Sequence, residues 1–181
     1  HSAYHHGAGI MIVMLGEIFS LMSAVCLAYS NFGKSKNRMI FWQTINAGFY
    51  SLSGICLGGY SAVISSMLTL VRNVLQIKGK LAAKSVMIIC VFVVVFGLYV
   101  NNRGWLGLLP VTASVIYTIM IYAVCSVKHM KIAVMINMLQ WAVFDCYIGA
   151  YPSFVMDIVI IILSVVNLCI KSVHKKGLTT M

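Results

Sequence analysis

Leu57-Gly58-Gly59-Tyr60-Ser61-Ala62 and, 91 positions later, Ile148-Gly149-Ala150-Tyr151-Pro152-Ser153 are the two short breaks that decide how this chain folds. Each places turn-forming residues between two apolar runs. Read as tight turns between antiparallel helices, they give seven runs, near residues 10–29, 40–57, 61–77, 85–100, 107–125, 132–148 and 154–170. Runs of about 17–20 residues are long enough to cross a hydrocarbon core of roughly 30 Å as helices.

Charge decides between turns and continuous helices. Seven spans put Lys34, Lys36, Arg38, Arg72, Lys78, Lys80, Lys84, Lys128, Lys131, Lys171, Lys175 and Lys176 on one side and only Arg103 on the other. Fusing either hairpin into one helix would scatter these residues over both faces. Because basic residues are retained on the cytoplasmic side, the split predicts an outer N-terminus and an inner C-terminus. The net charge of +10 therefore reads as membrane topogenesis and not as a nucleic-acid surface. Composition agrees, with 61% hydrophobic residues, 9% charged and a mean hydropathy of +0.98. A water-soluble fold carries roughly a quarter charged residues and could not cover so much apolar surface.

The six cysteines (Cys26, Cys56, Cys90, Cys125, Cys146 and Cys169) lie in apolar runs without a CxxC pair and read as small packing residues. The His-rich start, His1 to His6, reads as an added tag and not as a metal site. The first run lacks a basic leader and a small-residue cleavage site, so it is expected to remain as a span. No HExxH, GxSxG or phosphate-binding lysine loop occurs, so no enzyme, metal or cofactor is expected.

Sliding the chain by 91 residues aligns Ile45-Asn46 with Ile136-Asn137, Gly16 with Gly107, and the first turn with the second. It also lays spans one to three on spans five to seven, leaving the fourth as a connector. The expected fold is all-α: a polytopic bundle of seven transmembrane helices in a 3+1+3 plan of parallel repeats, with a ligand site near the midplane between the halves. The corresponding divisions are a tag-like or disordered start at 1–9, a first unit at 10–77, a connector at 78–106, a second unit at 107–170 and a basic tail at 171–181.

All three acids, Glu17, Asp145 and Asp157, fall within spans, and each must face the bundle interior, water or a cation. They are candidates for proton or cation coupling; otherwise Asp145 and Asp157 reach interfacial water and Glu17 is a neutral acid hydrogen-bonded in packing. Asn46 and Asn137 hold equivalent places in the second and sixth spans, Tyr50 aligns with Trp141, and Ser66 aligns with Asp157. Amides offer both donor and acceptor to a polar ligand, and an aromatic ring offers a stacking face. Asn46, Asn137, Tyr50, Trp141 and Ser66 are therefore the expected substrate-binding set. Gln43, Gln140, Asn73 and Asn167 are secondary candidates that read as readily as helix-to-helix hydrogen bonds. Arg72 is expected to snorkel from the third span to the headgroups, and Trp105 to anchor the outer interface. Pro110 fits the first turn of its helix without a kink.

The stretches Gln43-Thr44-Ile45-Asn46-Ala47, Leu57 to Ala62 and Val71-Arg72-Asn73, together with Leu109-Pro110, Trp141 and Gly149-Ala150-Tyr151, resemble the bacterial inner-membrane YgjV-type family. The resemblance covers most of the chain and implies a small inner-membrane protein similar in plan to the PQ-loop and SWEET group. It carries no settled activity. No Pro-Gln dipeptide occurs and the prolines are only Pro110 and Pro152, so sugar specificity and the SWEET binding asparagines are not transferred to Asn73 and Asn167.

These readings predict a small-solute transporter or facilitator working by alternating access, with lipid and a small polar solute as partners, no nucleic acid, and a homo-oligomer compatible but not required. The rival is a non-transporting receptor or partner subunit that presents its basic cytoplasmic face. A polar cavity at mid-depth, closed on one side, favours the first, whereas a dry sealed core with only surface grooves favours the second.

Overall fold

The computed structural model describes the backbone of residues 2–123 and 127–178, and the side chains of residues 9–123 and 129–166. Among the described residues there are seven α-helices and no strands: α1 (Ser2–Asn31), α2 (Lys36–Leu57), α3 (Tyr60–Ile77), α4 (Ala83–Tyr99), α5 (Leu108–Ala123), α6 (Val127–Ile148) and α7 (Tyr151–Leu178). A 3-10 turn, Gly104–Gly107, leads into α5. Helix α1 begins at Ser2, ahead of the apolar run, and α7 extends through the basic stretch to Leu178.

The two turns fold alike. Gly58 (φ 73°) and Gly149 (φ 84°) both adopt the left-handed conformation that ends a helix. The Gly59 amide donates to the Gly54 carbonyl at 2.9 Å and the Ala150 amide to that of Asp145 at 2.9 Å; the next helices open with Val63 to Gly59 at 3.1 Å and Phe154 to Ala150 at 3.0 Å. Every one of these positions has its counterpart 91 residues away. A side chain at a left-handed position costs roughly 1–2 kcal/mol, so Gly58→Ala and Gly149→Ala are each expected to destabilise by about that amount. Thermal unfolding of the two variants checks this, and an unchanged midpoint in either would show that its turn tolerates a Cβ. Gly58 is closed further by the loop before α5, where Arg103 Nη2 donates to the Leu57 carbonyl at 3.0 Å and Asn102 Nδ2 to that of Gly58 at 2.9 Å. The lone basic residue of that end thus caps α2, where a helix carries negative partial charge.

Helices α1, α2 and α3 pack in sequence, as do α5, α6 and α7, and the two sets meet where α1 touches α7 and α3 touches α5. Helix α4 lies outside, against α3 and α5, burying only Val86, Ile89, Val93 and Gly97, a spacing of one helical face. A Cβ on Gly97 would meet Val111 Cγ2 at 2.6 Å, so this glycine sets how closely α4 approaches α5. The rest of α4 turns Met87, Val91, Phe92, Val95 and Leu98 outward.

Burial is inverted relative to a soluble protein. Large apolar side chains from Ile10 to Val25 on α1, along α4, and at Ile158, Ile162 and Val166 on α7 are exposed, while Ser20, Ser23, Ser61, Ser65, Ser66, Arg72, Asn73, Asp145, Asp157 and Ser164 are buried. Such a surface is stable only where the solvent is hydrocarbon. Segments Gly9–Asn31, Gly104–Ala123 and His129–Ile148 are long and apolar enough to cross a membrane, and Ala83–Tyr99 and Tyr151–Val166 are shorter apolar helices. Helices α2 and α3 are less apolar on average because each carries an inward polar stripe, in α3 Ser61, Ser65, Ser66, Arg72 and Asn73.

Candidate functional site

The polar stripes converge on a cavity of about 70 Å³. Since a water needs roughly 10–15 Å³ by this measure, the space holds several waters or one compact solute. Its walls come from both helical sets, and six pairs of lining residues stand 91 positions apart: Ser23 with Ser114, Gln43 with Val134, Asn46 with Asn137, Ala47 with Met138, Tyr50 with Trp141, and Ser66 with Asp157. Asn46 and Asn137 lie at the midpoints of α2 and α6, 22-residue helices that are each about 33 Å long at 1.5 Å per residue.

The expected binding residues Asn46, Asn137, Tyr50, Trp141 and Ser66 all line this cavity, as do Asp145, Asp157 and Gln43. Asn46 Oδ1 accepts a hydrogen bond from Ser23 Oγ, fixing that amide to α1. Among the described residues Asn137 Oδ1 is buried without a partner. The Tyr50 hydroxyl donates to Asp145, joining α2 to α6, and the Tyr50 ring meets Trp141 edge-on at 5.0 Å. Asp157 is 2% exposed, lies within electrostatic reach of Asp145, and among the described residues its Oδ2 has no partner. Gln43 Oε1 accepts from Tyr117 Oη at 3.0 Å.

Three expected residues stand elsewhere. Glu17 is only partly buried and off the cavity wall, because the buried side of α1 runs through Gly16, Ser20, Ser23 and Leu27, and Glu17 is rotated by about 100° from Gly16. Gln140 accepts from Thr112 Oγ1 at 2.8 Å, a link between α5 and α6. Asn73 is fully buried behind the wall, where its Oδ1 accepts from Arg72 Nε at 3.1 Å and Nη2 at 2.9 Å. Asn167 lies outside the described side chains.

Arg72 corrects the sequence reading most sharply. It does not snorkel: it is 1% exposed and lines the cavity. Besides Asn73, its Nη1 donates to Thr118 Oγ1 at 3.1 Å, and its guanidinium lies 4.7 Å from the centroid of the Tyr117 ring. The missed signal is periodicity. Ser61, Ser65, Thr69 and Arg72 recur at spacings of four, four and three, which puts them on one helical face. Ser23, Thr69, Ser114, Tyr117 and Ser153 are further wall residues that composition alone does not single out. Ser20 Oγ and Ser153 Oγ, 2.8 Å apart, tie α1 to α7 beside it.

Comparison with known families accounts for nearly the whole chain: the family Imp-YgjV, described as bacterial inner membrane protein, matches residues 14–173. The chain belongs to this family. Its membership places the Imp-YgjV chain in the bacterial inner membrane, in agreement with the apolar helices and the inverted burial. No curated protein and no solved structure matches it.

Proposed function

We propose that this protein is a small-solute transporter or facilitator that works by alternating access, with its solute held in the cavity between two parallel three-helix units. The reading takes all seven helices as spans, the N-terminus outside and the C-terminus inside, α4 being the connector that lets both units run in the same direction. One observation carries it: a cavity between the two helical sets whose lining residues pair across the 91-residue offset, among them Asn46 and Asn137 at the midpoints of their helices. Residues that only glued helices together would hydrogen-bond each other, yet Asn137 Oδ1, Asp157 Oδ2 and Ser114 Oγ stand buried and unpartnered beside open space.

The seam between the units also favours motion. Its contacts include discrete hydrogen bonds, Ser20 to Ser153, Tyr50 to Asp145, Arg72 to Thr118 and Tyr117 to Gln43. Such pairs can be exchanged as one unit rocks on the other. Toward the lysine-rich end the cavity is flanked by an apolar cluster including Met39, Ile40, Ile121 and Met130, and toward the glycine turns by one including Tyr50, Ala62, Phe144 and Ile148.

The test is uptake by proteoliposomes, screened across labelled amino acids, sugars, nucleosides and polyamines. Asn46→Ala and Asn137→Ala are each expected to reduce uptake of any carried solute to background while the protein remains folded. Undiminished uptake in both variants removes the site assignment. Impermeant thiol labelling of single cysteines placed at Lys80 and Asn102 should mark opposite faces of the same vesicles; marking on one face overturns the orientation.

A further inference from the structure

We propose that the cavity binds a small aliphatic zwitterion, with the carboxylate of the solute on Arg72 and its primary ammonium on Asp157. The proposal rests on the transport reading for the identity of the solute site and names the chemical class of that solute.

The first support is an uncompensated cation. Arg72 is 1% exposed, and its partners among the described residues, Asn73, Thr118 and Tyr117, are neutral. A guanidinium has five N–H donors in a rigid fork. Nε, one hydrogen of Nη1 and one of Nη2 are engaged, which leaves one N–H on each terminal nitrogen. A pair of terminal donors matches the two oxygens of a carboxylate. A buried charge is expensive unless it is paired, so a cation held ready at a cavity wall favours an anionic group in the space beside it.

The second support is an uncompensated acceptor set. Asp157 Oδ2 and Asn137 Oδ1 are buried, line the cavity and have no partner. Both accept, and neither atom donates when Asp157 is ionised. Acceptors call for N–H or O–H donors, and an ionised Asp157 favours a cationic one, so a protonated primary amine fits where a quaternary ammonium, which has no hydrogen to give, does not.

The third support is placement. Asp157 lies six residues into α7 and Arg72 twelve residues into α3, counted from the ends that carry the glycine turns. At 1.5 Å per residue this puts the two Cα positions at depths differing by roughly 9 Å. Arg72 and Asp157 therefore face the cavity from different levels and can grip the two ends of one molecule. The volume fits, since 70 Å³ corresponds to roughly five to seven water-sized positions, the size of a short amino acid.

Binding to the purified full-length protein decides it, read by thermal shift and by calorimetry. Glycine, β-alanine and γ-aminobutyrate span the charge separations, with butyrate and butylamine as singly charged controls. At least one zwitterion should give a saturable rise in Tm and bind roughly tenfold or more tightly than either control, as expected when a charge-assisted contact is lost. In Asp157→Asn, affinity for that zwitterion should fall to the level of butyrate, with butyrate binding unchanged. Absence of binding by all three zwitterions, equal binding of either control, or an unaltered ranking in the variant overturns the proposal. Should the variant not fold, the wild-type ranking alone decides. Zwitterion binding without vesicle uptake keeps this inference and removes the transport reading; uptake of an uncharged solute without zwitterion binding does the reverse.

Discussion

Arg72→Met is expected to bring solute uptake to background, a loss of at least about a hundredfold, while shifting the unfolding midpoint by no more than a few degrees. The asymmetry follows from what the side chain meets. Methionine fills much of the same length without charge, so the variant escapes the desolvation of a buried cation, which amounts to several kcal/mol. It leaves Asn73 Oδ1 without its two donors and removes the donor to Thr118 Oγ1, a penalty of roughly 1–3 kcal/mol for each unsatisfied group. These terms oppose each other and leave stability nearly unchanged. No such offset exists for function, because the apolar tip offers nothing to an anionic group in the cavity. Uptake into vesicles and thermal unfolding of the same preparation check the two halves. A variant that unfolds would make Arg72 a structural strut, and one that transports normally would take it out of the site.

Tyr50→Phe carries the largest expected effect on stability. Among the described residues the Tyr50 hydroxyl is the hydrogen-bond partner of Asp145, which is 1% exposed. Phenylalanine retains the edge-on contact with Trp141 but strands a carboxyl group in a low-dielectric interior. Leaving a buried acceptor without its donor costs about 1–3 kcal/mol, and more for a charged group, enough to lower Tm by roughly two to twelve degrees in a chain of this size. Removing both polar partners together, in Tyr50→Phe with Asp145→Leu, should recover most of the loss, since an apolar pair leaves nothing unsatisfied. The double-mutant cycle is the measurement. Additive losses, with no recovery in the double variant, would mean that the bond contributes little.

Much of this architecture is legible in the sequence, for definite physical reasons. Gly58 and Gly149 mark the ends of α2 and α6 because only a glycine turns the chain there at no steric cost, whereas α1 starts at Ser2, ahead of its apolar run, and α7 continues through the basic stretch to Leu178, since a change in polarity alone does not stop a helix. The 91-residue offset recovers the pairs Asn46 with Asn137 and Tyr50 with Trp141, which stand together on the cavity wall. Rotation of a helix about its axis is harder to read. Glu17 and Asp157 are alike as lone acids in apolar runs, yet only Asp157 falls on the buried side of its helix, with Ser153, Ile160 and Ser164. For Arg72, depth in the span is misleading while phase is informative: the residue is near enough to the lysine-rich end to reach water, but its helical face points inward. Gln140 and Asn73 show the converse. Each is polar and at a suitable depth, but each is already occupied by a neighbour, Thr112 or Arg72.

The turn at Gly54 to Val63 and the turn at Asp145 to Phe154 make the same backbone hydrogen bonds, yet the residue that closes the first is a bare glycine and the residue that closes the second bears a carboxyl group. Two halves related about the membrane normal would offer the same surface to either flank of a guest lying across the seam, which could then sit in two equivalent ways. A carboxyl group carried by one copy alone makes the flanks unlike, so such a guest would settle in one sideways orientation.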